Sequence, residues 1–268
     1  MDLGLKGKSV LITGASKGIG LACANSFAAE GCTVHLAARS ADLLAKNKDD
    51  IAKKYGVAVH THVADLRVPG AVKKLADACA NVDILVNNAG DIPGGSLDKI
   101  DEEKWRHAWE LKVFGYVNMT REILARLPAR GNGVIFNLIG MAGVTHPAEY
   151  ICGAAGNAAL DAFTKGVGKG SINHGVRVLG LHPGATMTDR IIQLNKTIAK
   201  QKFGDESRWE ELLKGQRIQD PAQVGDAVLA VRVGGVRFRA LDEHRARGFD
   251  DDPGQHAALQ WRGVHGRR

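Results

Sequence analysis

Long apolar runs are missing from this 268-residue chain. No stretch approaches the roughly 20 consecutive apolar residues that a membrane-spanning helix needs, so no membrane span is expected. The first residues, MDLGLKGKSVLITGAS, also lack the basic, apolar and small-residue segments of a signal peptide. The sequence therefore favours a cytoplasmic protein.

Paired cysteines are missing too. The four thiols are scattered without a CxxC motif, at Cys23, Cys32, Cys79 and Cys152. This scatter is typical of reduced cysteines in the cytoplasm. The segment HTH places His60 and His62 on one face of an expected strand, but no third ligand follows at a recognisable metal-site spacing. We expect no metal site.

Aromatic residues are scarce, at 5% of the chain, although the net charge is +7. Residues 1–227 hold 28 basic and 24 acidic side chains, and the last 41 residues hold 8 and 5. The positive charge is thus spread thinly, with no basic stripe carrying interleaved aromatics. Such a distribution argues against a nucleic-acid partner.

What the chain does contain is a regular alternation of strand and helix patterns. Six β-branched runs alternate with helical segments: KSVLITGA, TVHLAAR, AVHTHVADL, DILVNNAG, GVIFNLIG and VRVLGLHPG. This alternation predicts an α/β fold, a Rossmann-type doubly wound parallel sheet with its ligand crevice at the carboxyl ends of the strands. We assign residues 1–227 to this single domain, with a substrate lid inserted at about 186–220.

A glycine-rich loop, TGASKGIG, joins the first strand to the first helix at Thr13–Gly20. Gly14 permits the turn, Gly18 lets the backbone approach a pyrophosphate, and Gly20 lets the helix pack closely. Free main-chain N–H groups and the positive end of the helix dipole then face the phosphates. The alternative is a βα turn that is merely tight.

The spacing TGxxxGxG resembles the short-chain dehydrogenase/reductase family. NNAG at Asn87–Gly90, Asp65 after the third strand and HPGATMT at His182–Thr188 match further motifs of that family, and the resemblance covers roughly residues 5–227. It implies a bound nicotinamide dinucleotide. The residues implied to hold it are Gly14, Ser16, Lys17, Gly18, Ile19, Gly20, Arg39, Asp65, Leu66, Asn87, Ala89, Gly90, Pro183, Gly184 and Thr188.

The end of the second strand indicates which dinucleotide is bound. An acidic residue there would accept a hydrogen bond from the ribose 2′-hydroxyl of NAD. This chain has LAARS instead, with Arg39, and Lys17 adds a second cation in the glycine loop. Guanidinium and ammonium groups suit a 2′-phosphate, so NADP(H) is favoured over NAD(H). Arg39 as an ordinary solvated residue is the alternative.

The family's catalytic pattern fails in this chain. The resemblance implies a proton-transferring tyrosine, a lysine four residues later, a serine thirteen residues earlier and an asparagine on the preceding long helix. Alignment through AALDAFTK and WELKVFGYVNMTR puts Gly153, Asn157, Gly140 and Lys112 at those four positions. All four groups are therefore replaced.

One tyrosine lies close to the vacated position. Tyr150 precedes Gly153 by three residues, about one helical turn. A free tyrosine has a pKa of about 10, so acid–base work near neutrality needs help from a nearby cation. Our hypothesis is that Tyr150 is the relocated acid/base with Lys112 as its electrostatic partner and His146 as a further candidate. Alternatively, Tyr150 simply packs at the pocket mouth.

The glycines at 140 and 153 also predict a roomy pocket. In the family resembled here, the segment 186–220 is the mobile lid, and Ile191, Ile192, Leu194 and Ile198 could share one helical face in it. The predicted partner is a small apolar or amphipathic molecule. The predicted function is hydride transfer between NADP(H) and a carbonyl or alcohol; a catalytically silent NADP(H)-binding protein is the alternative.

The last segment, residues 228–268, departs from the rest. It has eight arginines and no lysine, whereas residues 1–227 have 18 lysines and 10 arginines. It shows no helical or strand period, which is typical of poorly ordered sequence. Two explanations would account for this composition: a shifted reading frame near residue 230, or a genuine divergent tail. The family's homo-oligomer docks on the strand expected here, so that oligomer is in doubt.

Overall fold

The computed structural model describes residues 3–127 and 132–232 of the chain. Its centre is a six-stranded parallel sheet in the order β3-β2-β1-β4-β5-β6. The strands are β1 Ser9–Thr13, β2 Thr33–Ala38, β3 Val59–Val63, β4 Ile84–Asn87, β5 Gly133–Leu138 and β6 Val176–Leu181. The order changes direction between β1 and β4, which is where a doubly wound sheet forms its crevice. The predicted α/β fold is confirmed.

Helices cover both faces of this sheet. They are α1 Gly18–Ala29, α2 Ala41–Tyr55, α3 Ala71–Ala78, α4 Glu102–Trp109, α5 Gly115–Leu124, α6 Ala142–Thr145, α7 Ile151–Ser171, α8 Asp189–Phe203 and α9 Pro221–Arg232. No helix of the described residues is both long and apolar enough to cross a bilayer.

The two sheet faces bury different sets of side chains because successive strand residues point to opposite sides. Val10 and Ile12 of β1 lie in a core shared with α1, α2 and α9. Leu11, between them, lies in a second core with α3 and α5. Burial on both faces explains why these strands read as continuous apolar runs rather than alternating ones.

The helix predicted from DEEKWRHAWELKVFGYVNMTR is interrupted in the structure. A π-helical turn, Glu110–Phe114, separates α4 from α5. Asp101 caps the start of α4, where its carboxylate accepts a hydrogen bond of 2.8 Å from the Lys104 amide. The wide turn places the side chain of Lys112 inside the protein, where it is only 8% exposed.

A chain of buried amides and hydroxyls ties the sheet to α7. The Asn87 Nδ2 donates to Asn137 Oδ1 at 2.9 Å, across the β4–β5 pair. The Asn137 Nδ2 then donates to the Thr164 hydroxyl on α7 at 2.8 Å. Buried polar groups are costly unless paired, so this chain favours one arrangement of β4, β5 and α7.

The predicted lid segment contains α8 and a 3₁₀ helix, Glu206–Leu213. The Thr188 hydroxyl caps α8 by accepting a hydrogen bond from the Ile191 amide. The role of this segment as a lid stays a prediction. The predicted Arg-rich tail lies outside the described residues from residue 233 onward.

Candidate active site

A cleft of about 1510 Å³ opens at the carboxyl ends of the strands. Because parallel strands end at one edge of a sheet, the loops after β1, β2, β3 and β4 all contribute to its wall. The first turns of α8 and α9 form the opposite side. The cleft is therefore located where the alternation pattern placed the ligand crevice.

The glycine loop passes through positions that no side chain could share. Gly14 has φ of 68°, and a Cβ on it would lie 2.9 Å from the Ala89 Cα. A Cβ on Gly20 would overlap the carbonyl oxygen of Gly14. Gly18 has φ of 58° and faces the methyl group of Thr188. The backbone thus forms an open cradle at the start of α1, which fits a dinucleotide's phosphates.

Basic side chains surround one end of the cleft. Arg39 and Lys17 both line it, and Arg39 is exposed. The Lys17 ammonium lies 3.4 Å from the Asp189 carboxylate, with both side chains largely in solvent. Exposed ion pairs of this kind are weak, so Lys17 can exchange Asp189 for a phosphate at little cost.

Asp65 lies at the same edge, after β3. Burial alone would raise the pKa of this carboxyl, but hydrogen bonds from the Arg67 backbone and guanidinium hold the pKa below its usual value. Asp65 is therefore ionised near neutrality and held in place by Arg67, as a residue that orients a ligand ring should be.

The structure sorts the sequence-predicted cofactor residues into two groups. Those lining the cleft are Gly14, Ser16, Lys17, Gly18, Ile19, Arg39, Asp65, Leu66, Ala89, Gly90 and Thr188. The others, Gly20, Asn87, Pro183 and Gly184, lie outside the wall of this cleft.

Asn87 corrects the expectation most clearly. Its side chain is fully buried, and its amide nitrogen donates to Thr120 and Asn137. It therefore braces the central sheet and does not face the cleft. Its neighbour Asn88, which was not predicted, lines the cleft and donates to the carbonyl oxygens of Thr13 and Gly14.

Two residues of the His182–Thr188 turn make contacts outside the cleft. The Pro183 carbonyl accepts a hydrogen bond from the Met141 amide at 3.0 Å. The Gly184 amide donates to the Gln219 side chain at 3.1 Å. The turn is thereby held between the segment after β5 and the segment before α9.

At two of the four positions where the resemblance implies catalytic groups, the chain has glycine, and a neighbouring side chain lies against each of them. A Cβ on Gly153 would overlap ring atoms Cε1 and Cζ of Tyr150. A Cβ on Gly140 would approach the Asn157 amide nitrogen at 3.0 Å. Tyr150 thus fills the space into which a side chain at position 153 would project.

Lys112 is enclosed by protein groups. Its ammonium nitrogen donates to the Leu138 carbonyl at 2.6 Å and to the Tyr116 hydroxyl at 2.9 Å. Burial, with a smaller contribution from the charge of Arg190, lowers its pKa from 10.5 to about 7. Lys112 consequently changes its charge near neutral pH. The hypothesis paired Lys112 directly with Tyr150, but its hydrogen bonds go to Tyr116 and Leu138.

Tyr116 itself is unsuited to proton exchange with a ligand. The side chain is fully buried, and burial raises its pKa well above the ordinary value. The protonated hydroxyl donates to the same Leu138 carbonyl at 3.1 Å. Tyr116 and Lys112 therefore form one buried unit behind Gly90, whose absent side chain leaves room for the Lys112 stem.

A cation lies beside the Tyr150 hydroxyl, and it is Arg190, which the sequence analysis did not identify. Its Nη2 lies 3.5 Å from the Tyr150 Oη and donates to the Ile92 carbonyl at 2.6 Å. Its Nη1 pairs with the Asp91 carboxylate at 3.2 Å. The sequence could have indicated Arg190 as a site residue, because it lies two residues after Thr188, at the start of the segment expected to cover the site.

Other surroundings of Tyr150 are compatible with a packing role. Its ring lies against a small apolar cluster that includes Ile92, Cys152 and Trp109. His146, the further candidate activator, is exposed at the end of α6 with φ of 49°. Tyr150 is not among the residues that line the cleft, whereas Arg190, beside its hydroxyl, is.

The cleft wall beside this end is largely apolar. It is formed by Ile92, Pro93, Gly94, Leu111, Met187 and Leu194. Leu194 and Ile198 of α8 pack directly over Gly94, where a Cβ would lie 2.6 Å from Leu194 Cδ1. An apolar wall under α8 suits a ligand with a hydrocarbon portion.

Comparison with known proteins gives consistent results. Residues 8–199 match the family model described as short chain dehydrogenase. A 3-oxoacyl-[acyl-carrier-protein] reductase FabG from Aquifex aeolicus (strain VF5) is 29% identical over 233 residues, which are 85% of this chain and 91% of the relative.

Two solved structures extend the comparison to three dimensions. L-sorbose reductase from Gluconobacter frateurii, complexed with NADPH and L-sorbose, is 30% identical with a TM-score of 0.77, over 85% of this chain and 90% of that one. NAD⁺-bound xylitol dehydrogenase is 24% identical with a TM-score of 0.77, over 86% and 93%, a likeness of fold.

Proposed function

Because the chain belongs to the short-chain dehydrogenase family, we propose that it is an NADP(H)-dependent oxidoreductase acting on a carbonyl or alcohol through a rearranged site. The observation that carries the proposal is the 3.5 Å contact between the Tyr150 hydroxyl and Arg190, because Arg190 lines the cleft that contains the glycine cradle. The glycine cradle and the basic end of the same cleft supply the cofactor side of the argument.

The choice of NADP(H) rests on Arg39 and Lys17. Both line the end of the cleft after β2 and β1, where an NAD site would carry an acidic residue. The guanidinium of Arg39 offers paired donors to a phosphate, and the ammonium of Lys17 adds a point charge. The L-sorbose reductase complex with NADPH supports this choice by similarity.

In carbonyl reduction, NADPH bound in the cleft supplies the hydride. Tyr150 gives its hydroxyl proton to the substrate oxygen, and it recovers a proton from solvent afterwards. The Arg190 guanidinium, 3.5 Å from that hydroxyl, stabilises the negative charge left on the phenol oxygen. Alcohol oxidation uses the same groups in reverse, with Tyr150 accepting the proton.

Lys112 has a supporting role in this proposal. Its amine donates to Tyr116 and Leu138, and its stem lies behind Gly90, which separates Lys112 from the cleft. With a pKa of about 7, it is charged in acid and neutral in alkali. Its charge therefore changes the electrostatic potential at the site over the physiological range.

The substrate we propose is a small apolar or amphipathic carbonyl compound or alcohol. The space at Gly140 and Gly153 is taken by Asn157 and Tyr150, so the expectation of a roomier pocket at these two glycines is not met and the argument rests on the cleft wall. The apolar wall under α8 then contacts the hydrocarbon portion of the ligand.

The test compares Tyr150→Phe with the parent chain. NADPH and NADH binding are followed by fluorescence, and NADPH oxidation is followed by absorbance over a panel of carbonyl compounds. We expect NADPH to bind both proteins equally and kcat to fall at least 10²-fold in the variant, the usual size of a general-acid contribution. Tyr55→Phe, at the last residue of α2, is the matched control and should keep full activity.

A second candidate is a catalytically silent NADP(H)-binding protein. The packing of Tyr150 among Ile92, Cys152 and Trp109 favours it, together with replacement of the four expected catalytic groups. NADPH binding without oxidation across the panel would support this second function. Equal turnover by the parent and Tyr150→Phe would reject Tyr150 as the acid, and failure to bind either dinucleotide would reject both candidates.

A further inference from the structure

Two histidines and a cysteine converge away from the cofactor cleft. His35 lies on β2, His62 on β3, and Cys79 directly follows α3. The His35 Nδ1 and His62 Nε2 are 3.0 Å apart. The Cys79 Sγ lies 3.4 Å from His62 Nε2 and 3.7 Å from His35 Nδ1.

The fold explains why residues so distant in sequence meet. His35 pairs with His60 in the β2–β3 ladder, so His62, two residues further on, points to the same face. That face is covered by α3, which packs Leu75 and Ala76 into its core. The end of α3 therefore delivers Cys79 to the two imidazoles. The third ligand that the sequence pattern lacked is supplied by topology.

The triangle has the dimensions of a metal site. Zinc binds histidine nitrogen at about 2.0–2.1 Å and cysteine sulfur at about 2.3 Å in tetrahedral geometry. These lengths place two nitrogens about 3.4 Å apart, and nitrogen and sulfur about 3.6 Å apart. The distances of 3.0, 3.4 and 3.7 Å are within about 0.4 Å of these values. We propose that His35, His62 and Cys79 bind one Zn²⁺ ion, with water as the fourth ligand.

The chemistry of the three groups suits this ion. Burial, followed by the charges of His60 and His62, lowers the pKa of His35 to about 4, and burial likewise lowers the pKa of His62. Both rings are neutral near pH 7, with lone pairs available. Burial raises the pKa of Cys79 to about 12, so the metal displaces the thiol proton. The step is Zn²⁺ plus thiol giving zinc thiolate plus one proton released to solvent.

Burial is uneven around the triangle. Cys79 is buried, whereas His35 and His62 are half-buried at the β3 edge of the sheet. A water molecule can therefore reach the fourth position. The ion would link β2, β3 and α3 just before the loop that carries Asp65. The ion would therefore stiffen this sheet edge and keep one coordination position open to water.

The experiment titrates Zn²⁺ and Co²⁺ into the full-length chain after removal of metals with a chelator. We expect one ion per chain, with Co²⁺ giving the visible spectrum of tetrahedral coordination and a thiolate charge-transfer band. Cys79→Ser should abolish the charge-transfer band, and both Cys79→Ser and His62→Gln should weaken Zn²⁺ affinity at least 10-fold. No cofactor or substrate is present, so the result is independent of the proposed activity.

His60→Gln is the matched control. His60 belongs to the same HTH segment and stacks on His35 with ring centroids 4.7 Å apart, but it is exposed and is not one of the three convergent ligands. Its variant should bind Zn²⁺ as the parent does. Circular dichroism and melting in the presence of chelator show whether each variant is folded. If Cys79→Ser does not fold, Cys79→Ala replaces it in the titration.

Two outcomes would overturn the proposal. One is a folded parent chain that takes up no Co²⁺ or Zn²⁺ at micromolar concentration. The other is binding that is equally strong in Cys79→Ser and His62→Gln. Either result would mean that the three groups are joined only by hydrogen bonds between neutral rings and a thiol.

Discussion

The two ends of the cleft have diverged to different degrees. On the cofactor side, the glycine loop, Asp65 and Thr188 line the cleft together. On the catalytic side, alignment puts Gly140, Gly153, Asn157 and Lys112 at the four positions where the family resemblance implies catalytic groups. In our proposal, the same fold therefore combines an ordinary cofactor wall with a rebuilt reaction wall.

This difference follows from how each end works. Phosphates are bound by main-chain N–H groups, and the sequence requirement is that Gly14 and Gly20 have no side chain. Acid–base chemistry depends on one functional group at one point. Such a group can be supplied from a neighbouring position, as Tyr150 is supplied beside Gly153.

Lys112→Met should produce the largest effect and concerns the chemistry end. Unfolded lysine keeps its proton up to about pH 10.5, while folded Lys112 loses it above about 7. The unfolded state binds more protons in that window, so the stability of the parent rises with pH there. The free-energy cost of keeping Lys112 charged in the folded protein is fully present below pH 7, and it amounts to at most about 5 kcal/mol.

Denaturant unfolding at several pH values measures this effect. The free energy of unfolding of Lys112→Met minus that of the parent should be several kcal/mol larger at acid pH than at alkaline pH. Lys165→Met, on the exposed face of α7, is the control and should show no such trend. A parent-to-variant difference that stays constant with pH would show that Lys112 is ionised throughout.

Gly20→Ala tests the cofactor end. Its Cβ would overlap the Gly14 carbonyl and lie 2.5 Å from the Asn88 amide nitrogen, which forces α1 away from the loop. We expect a loss of about 2–3 kcal/mol in stability and weakened NADPH binding. Gly166→Ala, in α7 with open space around it, should instead stabilise the chain by about 0.5–1 kcal/mol. Equal effects at the two sites would contradict the close-packing argument.

Arg39→Ala tests the cofactor side further, because it should change the affinity for NADPH but not the affinity for NADH. Loss of a charged donor to the 2′-phosphate should weaken NADPH binding by about 1.5–3 kcal/mol, roughly 10- to 100-fold. NADH affinity should stay the same because it has no such phosphate. Fluorescence titration with both cofactors gives the ratio, with Arg106→Ala as a surface control. A parallel loss for NADH would remove Arg39 from the phosphate site.

Asp189→Asn should have the smallest effect. The Lys17–Asp189 pair is exposed, so its removal should change the free energy of unfolding by less than about 1 kcal/mol. Because Lys17 is then free to face a phosphate, NADPH binding should tighten a few-fold at low salt. Thermal melts and titrations measure the two effects, and a large loss of stability would show that the pair matters structurally.

Most of the fold follows from sequence pattern. All six strands were predicted because runs such as SVLIT and GVIFNL are buried on both faces of a parallel sheet. The π turn at Glu110–Phe114 was not, because the residues within it keep a helical period and contain neither proline nor glycine.

The candidate site likewise has one part that the sequence predicts and another part that depends on the fold. Main-chain motifs such as Gly14 and Gly18 could be predicted because a fixed spacing dictates their backbone conformation. Arg190 could not be assigned to Tyr150, since their contact depends on how α8 lies over the cleft. The convergence of His35, His62 and Cys79 likewise depends on strand order rather than spacing.

The widened turn between α4 and α5 has a consequence for how this chain tolerates change. A π turn fits one residue more than an α-helical turn into a single winding, so deletion of one residue within Glu110–Phe114 would restore normal winding and leave α4 and α5 facing nearly the same way. Trp109, whose indole donates to the Cys152 carbonyl on α7, would keep its direction. This turn is thus a place where the chain can lose a residue without turning the helices on either side of it.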